Sequence, residues 1–415
     1  MNSKRSMEDL AVFGGAVAFP EELHVGRPNL GNRASFLARV EDILDRRWFT
    51  NSGPCVQEFE YRIAELVGVR HCIAVCNATV ALELAIRAAD LSGEVIVPSF
   101  TFIATAHALQ WQQITPVFCD VDPATHTLDP LRIEELITPR TTGIIGVHLW
   151  GRPCDVVALS EIASRRQLKL LFDAAHAFGS SYQGKMVGNF GEAEVFSFHA
   201  TKFLNTLEGG AIVTNNDELA AKVRLMRNFG FVGYDEVIYV GTNGKMNEVS
   251  AAMGLTQLES LSEFVAVNRR NYLRYRAHLQ DIEGVSLLIY DEQEQCNYQY
   301  IVLEIDTARA GVTRNQLLQI LWAENVLARR YFFPGCHRME PYRSYFPHAG
   351  LLLPNTERLT ERVLLLPSGT AVSPEQITDI CEIIRLVVSR SAEVATRLAG
   401  AEATTASDHS RQPTP

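Results

Sequence analysis

Phe196-Ser197-Phe198-His199-Ala200-Thr201-Lys202 is an apolar strand signal that runs out into polar residues and one lysine. Glu208-Gly209-Gly210 then turns the chain back into a second apolar run, Gly210 to Thr214. A lysine at the rim of a hydrophobic sheet is open to desolvation, which lowers its pKa and frees the amine as a nucleophile. The alternative is an ordinary solvated loop lysine. Upstream, Leu168-Lys169-Leu170-Leu171-Phe172-Asp173 is another apolar strand, and its terminal carboxylate leads through Ala174-Ala175 to His176. A buried carboxylate needs a cationic partner. Lys169 lies back along the strand, so that partner is expected from a ligand, unless Asp173 merely caps a turn.

The same rhythm extends toward the N-terminus. Strand signals at Cys72 to Cys76, Glu94 to Pro98, Thr115 to Cys119 and Gly143 to Leu149 alternate with helical patterns. The helices are expected over Ala34 to Arg47, Val56 to Val67, Thr79 to Ala89, Phe102 to Gln112 and Asp155 to Arg166. Such alternation predicts an α/β fold with a mostly parallel sheet covered by helices on both faces. Long helices are expected near Asp217 to Arg227 and Asn247 to Leu279. Beyond about residue 280 the pattern changes: a strand at Gln299 to Ile305, a helix at Arg314 to Glu324, a proline- and aromatic-rich loop from Tyr331 to Pro347, and a helix at Pro374 to Val388. This predicts a smaller α+β domain. The expected division is a leading segment 1–30, a large domain 31–265, a small domain 266–400, and a tail 401–415 that lacks apolar periodicity and reads as disordered.

Composition narrows the function classes. The chain has 415 residues, 47% hydrophobic and 21% charged, enough for a large core and more than one domain. Lys and Arg number 38 against 48 Asp and Glu, a net charge of −10, which argues against a nucleic-acid or anionic-membrane partner. The eight cysteines form no CxxC pair, as expected for reduced thiols in a cytoplasmic protein. No metal site is expected. No uncharged apolar run approaches the ~20 residues of a spanning helix. Lys4-Arg5 before the apolar stretch Leu10 to Phe19 imitates a signal peptide, but Glu8, Asp9, Gly14-Gly15 and Pro20 argue against one.

Open α/β sheets bind ligands beyond the carboxyl ends of their strands. The first strand delivers Cys76-Asn77-Ala78-Thr79-Val80 directly into a helix, whose first N–H groups form an anion seat. Asn77 or Thr79 acting as a simple cap is the alternative. Neither GxGxxG in this place nor GxxxxGK[ST] anywhere is present. The next strand delivers Pro98-Ser99-Phe100-Thr101-Phe102, whose aromatics either stack on a planar ligand or fill the core. A reactive lysine, an Asp for a pyridinium nitrogen and a phosphate seat together are what pyridoxal 5′-phosphate needs.

From about Leu10 to Leu366 the sequence resembles the DegT/DnrJ/EryC1/StrS family of sugar aminotransferases. The resemblance is carried by Asn77 to Leu82 (NATVAL), Pro98 to Ala106 (PSFTFIATA), Pro116 to Asp122 (PVFCDVD), Val147 to Gly151 (VHLWG) and Asp173 to His176 (DAAH). It continues through Gly188 to Gly191 (GNFG), Phe196 to Lys202 (FSFHATK), Glu208 to Gly210 (EGG), Arg227 to Gly230 (RNFG) and Gly241 to Met246 (GTNGKM). It implies the type I fold of pyridoxal-phosphate enzymes, with a seven-stranded sheet sandwiched by helices, and a homodimer with shared active sites. By position it implies that Lys202 carries the cofactor and moves the reacting proton, and that Asp173 faces the ring nitrogen. Thr79, Val80 and Ser197 would hold the phosphate, Phe102 would stack on the ring, and His176 would bond its 3-oxygen. Asn243 would reach the cofactor of the other subunit. Ala78 stands where glycine is common, and His176 where glutamine is common. Lys202 is retained, whereas dehydrases of the family carry histidine there.

The resemblance also implies a nucleotide-sugar substrate and L-glutamate as amino donor. Ser197 to Lys202, Thr206 to Gly210, Asn228 to Tyr234 and Gly241 to Met246 look most like the branch that aminates C4 of dTDP-4-keto-6-deoxy-D-glucose. A C3-keto sugar nucleotide, a keto-cyclitol, or a silent regulatory protein that kept the fold are the alternatives. His199, Arg330 and Tyr331 are candidate sugar-binding residues. Arg227, Lys245, Arg329 and Arg330 are candidate cations for the diphosphate.

Overall fold

The computed structural model describes residues 4–405. Its centre is a seven-stranded sheet: β1 His71–Val75, β2 Glu94–Pro98, β3 Thr115–Cys119, β4 Thr141–Val147, β5 Lys169–Asp173, β6 Ala193–Ser197 and β7 Gly210–Thr214. The strand order is β1-β7-β6-β5-β4-β2-β3. Only β7 runs against its neighbours; the other pairings are parallel. All seven expected strands are present, shifted by at most two residues at an end.

The strands read as continuous apolar runs because both faces are covered. In β1, Ile73 and Val75 pack with helices α3 Ala78–Ala88, α4 Ala104–Gln110 and α6 Asp217–Met226. Cys72 and Ala74 face the other way, onto α2 Pro54–Val67 and α7 Glu248–Glu259. Toward β3, Ile96, Ile144, Leu170 and Phe172 meet α5 Val156–Arg166 on that second face. Each α/β connection brings the chain back so that β1, β5 and β6 all end at one sheet edge. There Gly210 pairs with both Val75 and Ser197, and Asp173 pairs with both Val147 and Val195.

The expected helix from Asn247 to Leu279 is two helices. Asn247 caps α7 by accepting from the Ser250 N–H at 2.8 Å. Ser260 leaves helical geometry (φ −105°, ψ 8°) before α8, Leu261–Leu279, begins. The break lets α8 pass between two cores: Phe264 packs with the large sheet, while Tyr272, Tyr275 and Leu279 enter the smaller cluster. The domain boundary expected near residue 265 thus falls within a helix.

The smaller sheet is antiparallel, β8 Val285–Leu287, β9 Ile301–Ile305 and β10 Val363–Leu366, in that order. Helices Arg314–Ala323 and Pro374–Ser389 cover it. The N-terminal segment completes this core with Met7, Leu10, Phe19 and Leu23. Glu324 pins it: the N–H groups of Ala11 and Ala18 donate to its carboxylate at 2.7 and 2.8 Å, and the buried Lys4 ammonium lies 3.0 Å away. A last helix, Ser391–Thr405, carries the chain into the segment expected to be a tail; residues 406–415 lie outside the described residues. All eight cysteines are unbridged and six are buried. Among the described residues no helix is long and apolar enough to cross a membrane, and no cluster of His, Cys, Asp and Glu could hold a metal ion.

Candidate active site

Lys202 sits on the loop between β6 and β7. The loop is closed at its neck, where the Phe198 N–H donates to Gly209 O at 2.9 Å and the Thr206 N–H to Phe198 O at 2.8 Å. Asn29 clamps it from outside: its side chain donates to Phe203 O at 2.8 Å, and its carbonyl accepts from the Asn205 side chain at 3.0 Å. The Lys202 ammonium donates to the Tyr300 hydroxyl at 3.2 Å. Burial brings its pKa down to about 8, and the Asp173 charge opposes that fall. Asp173, at the end of β5, is 5% exposed. Its Oδ2 accepts from the Thr105 hydroxyl at 2.8 Å and its Oδ1 from the Ala175 N–H at 3.1 Å. Burial pushes this carboxyl up. The two hydrogen bonds and the positive charge of Lys202 act against that rise. Lys169, as expected, points away and pairs with Glu192 at 3.3 Å.

His176 follows Asp173 into an aromatic wall. It stacks on Trp150 at 5.7 Å and on Phe332 at 6.0 Å, and Tyr300 lies 4.4 Å away. Burial, with the Lys202 charge beside it, lowers its pKa well below the ordinary value, so the ring is neutral. The Trp150 N–H approaches Nδ1 at 3.4 Å, which leaves the ring proton on Nε2. Trp150 holds that position in the left-handed region (φ 62°, ψ 14°), unusual for a bulky residue and common at working sites. The aromatic-rich loop that starts near Tyr331 forms a lip on this wall: Phe332 stacks on Trp150 at 5.3 Å, Tyr331 stacks on Phe332, and the Arg330 guanidinium lies over Phe333 at 4.3 Å.

The start of α3 stands at the same edge. Asn77 is its cap and accepts the Val80 N–H at 2.9 Å. The N–H groups of Ala78 and Thr79 are left without a protein partner among the described residues. Gly210 permits this approach, since a Cβ there would sit 2.7 Å from the Ala78 nitrogen. Ser197 ends β6 nearby; its oxygen accepts from the His199 N–H at 3.4 Å, so its own proton is free to donate. His199 itself is exposed, bonded to Thr201 at 2.8 Å and 3.5 Å from Glu208. Phe102 is 60% exposed in the single chain. Asn243 is also exposed, on a segment bridged to Asn228 and lying beside the α3 start through Gly244, whose carbonyl accepts from the Cys76 N–H at 2.8 Å.

One candidate is corrected. Arg227, considered for the diphosphate, is buried and already paired: it donates to Glu60 at 2.5 Å, to Ala74 O at 2.7 Å and to Ser52 at 3.2 Å. It ties α6 to β1 and α2. Lys245 donates to Asn228 at 2.8 Å, whereas the Arg329 guanidinium lies over Tyr331 and that of Arg330 lies over Phe333 and 3.4 Å from the Asn315 side chain. The sequence alone assigned no role to Thr105, Trp150 or Tyr300. Trp150 lay within a quoted motif, but Tyr300 enters from the small domain and no spacing reveals it.

An amine whose pKa is brought toward physiological values, in electrostatic reach of a carboxylate with no ion pair of its own, suits amino-group transfer. The enzyme is of the pyridoxal-phosphate-dependent aminotransferase class. The chain belongs to the DegT/DnrJ/EryC1/StrS aminotransferase family, whose sequence model matches residues 32–385. It is 38% identical over 363 residues to the dTDP-4-amino-4,6-dideoxy-D-glucose transaminase of Shigella dysenteriae, covering 88% of this chain and 98% of that protein. It is 38% identical over 329 residues to the GDP-perosamine synthase of Caulobacter vibrioides, covering 77% and 86%. The crystal structure of DesI with its TDP-sugar product superposes with a TM-score of 0.91 at 49% identity, covering 95% of this chain and all of that one.

Proposed function

We propose that this enzyme transfers the amino group of L-glutamate to C4 of dTDP-4-keto-6-deoxy-D-glucose, giving dTDP-4-amino-4,6-dideoxy-D-glucose. The observation that carries the reading is the half-buried Lys202, its amine desolvated, set against the buried Asp173 at the carboxyl edge of the sheet. The choice of sugar rests on similarity to the Shigella transaminase and to DesI.

The residues present suit pyridoxal phosphate. Among the described residues Asp173 accepts two hydrogen bonds and has no ion pair, so a protonated ring nitrogen would supply the missing cation. The unpartnered amides of Ala78 and Thr79, with the Thr79 and Ser197 hydroxyls, would hold the phosphate. The Val80 side chain would then flank the seat, since its amide belongs to the Asn77 cap. Phe102 would cover one ring face, and the Nε2–H of His176 would donate to the ring oxygen. When bound, the cofactor supplies an electron sink for the carbon that loses or gains the amine.

Lys202 would hold the cofactor between turnovers. Its amine takes the proton from the α-carbon of glutamate and later returns it to C4 of the sugar. A pKa of about 8 lets it both accept and release that proton near neutral pH. The lip excludes water, and Tyr331, Arg330 and His199 contact the sugar nucleotide. Asn243 completes the site of a second copy in a homodimer, and the enzyme works in the cytoplasm.

Incubation with glutamate and dTDP-4-keto-6-deoxy-D-glucose, with the product analysed by NMR, tests this. Nitrogen at C4 is expected; nitrogen at C3, or no turnover, rejects it. The Caulobacter relative supports a second reading, a GDP-linked keto sugar, and a parallel incubation with that substrate class separates the two.

A further inference from the structure

Tyr300 comes from the small domain, immediately before β9, yet its hydroxyl lies in the catalytic site. Its one hydrogen bond among the described residues is with the Lys202 amine at 3.2 Å, and that amine has no other hydrogen-bond partner there. The ring is fixed from several sides. His176 lies 4.4 Å away at a tilt of 39°, and Trp150 meets it edge-on at 5.6 Å. Its backbone is held as well, because the buried Tyr290 hydroxyl lies 2.9 Å from Tyr300 O and 2.8 Å from Trp150 O, which share its one proton. The phenol is 6% exposed, and burial pushes its own pKa far above the working range, so it stays a neutral O–H. A phenol is both donor and acceptor. It can accept from an ammonium and, by turning its proton, donate to the lone pair of a free amine.

We propose that Tyr300 is the positioning residue of Lys202: its hydroxyl anchors the lysine nitrogen in both protonation states, at one place beside His176, while the lysine is not bonded to cofactor. The lysine side chain is long and rotatable, and a buried amine without a partner would search other rotamers. The anchor keeps the nitrogen where the reacting proton is picked up and returned. Because Tyr300 belongs to the small domain, its seating on Trp150 and His176 also makes the lysine's placement depend on the two domains being docked. The inference rests on Lys202 being the reacting lysine.

The test compares full-length wild type and Tyr300→Phe, which keeps the ring packing and loses only the hydroxyl. Cofactor-free protein is pulsed with formaldehyde and cyanoborohydride from about pH 6 to about pH 10, and methylation of the Lys202 peptide is read by mass spectrometry. Asp173 and His176 are the titratable neighbours common to both proteins. Wild-type labelling is expected to reach half its maximum near pH 8. Both forms lose a bond, but the charge-assisted bond to the ammonium is the stronger, so the Tyr300→Phe midpoint falls by about half to one unit. Labelling at neutral pH then rises several-fold, while exposed Lys169 is unchanged. In loaded enzyme kcat falls by about tenfold with little change in KM. Tyr300→His, which keeps a ring and a polar atom, returns the midpoint part of the way. An unmoved Lys202 midpoint overturns the proposal, as does an equal shift in both variants, which would mark packing rather than the hydroxyl. Borohydride trapping of pyridoxal phosphate on the wild type is read separately. Trapping on a lysine other than Lys202 overturns the reading of the site, and this proposal with it.

Discussion

Glu324 and Asp173 are both buried carboxylates, and their surroundings differ. Glu324 holds the N-terminal segment with two backbone N–H groups and the Lys4 ammonium. Glu248 accepts the N–H groups of Cys55 and Val56 at 2.9 Å each, at the start of α2, and the Arg46 guanidinium lies 4.0 Å away. Glu194 takes two amides at 2.7 Å and the His148 ring at 3.1 Å. Asp173 has two donors and no ion pair among the described residues, and burial raises its pKa. Carboxylates with full complements of donors organise the fold, because withdrawing one from water is offset only when its oxygens are matched. The carboxylate left short, facing an amine left equally short, marks where a ligand completes the set.

The largest expected effect is at the unmatched pair. Lys202→Met should lower turnover by at least about 10³-fold, about 4 kcal/mol of transition-state stabilisation. The same change should stabilise the cofactor-free protein. Lowering the lysine pKa from 10.5 to about 8 costs about 3 kcal/mol at neutral pH, at about 1.4 kcal/mol per unit. Between those two values the native state binds fewer protons than the unfolded chain, so wild-type stability rises with pH through that window. Urea titrations at about pH 7 and about pH 10 should show the rise in wild type and not in the variant. A variant that is less stable at neutral pH would break the contrast. Glu324→Ala should act in the opposite sense. It strands the Lys4 ammonium and two amides, for a loss of about 3 kcal/mol in denaturant, with specific activity kept by the folded fraction.

Arg227→Met sharpens the contrast among cations. If its bonds to Glu60 and Ala74 are its role, stability falls by about 2 kcal/mol and KM for the nucleotide sugar stays within about twofold. A large rise in KM at unchanged stability would restore Arg227 to the substrate.

How much of this was legible in the sequence follows from where each interaction originates. Strand after strand read correctly because β1 to β7 are buried on both faces and appear as apolar runs bounded by turns. The sheet-edge residues Asp173 and Lys202 were legible for the same reason, as polar residues ending such runs. The helix break at Ser260 was not, since α7 is buried nearly all round, polar residues included, and shows no one-sided pattern that ends before α8. β10 was missed because Val363 to Leu366 is a short apolar run directly after a charged helix. Tyr300 and Thr105 reach the site from distant parts of the chain, and neither is in sequence register with Lys202 or Asp173. Arg227 looked like a ligand for phosphate because a sequence does not reveal that Glu60 folds against it.

The smallest expected effect concerns the anion seat, where structural and functional readings meet in one residue. Asn77→Ala removes the cap from α3 and should cost about 1 kcal/mol in the cofactor-free protein. The freed Val80 N–H joins those of Ala78 and Thr79 at the helix start, where a phosphate can accept it. Saturating pyridoxal phosphate should therefore shrink the stability difference between variant and wild type, read as thermal shifts with and without cofactor. Equal losses under both conditions would mean that the helix start caps itself and holds no phosphate. The Asn77 bond would then belong with Glu324, among the matched contacts of the fold, rather than with Asp173 and Lys202.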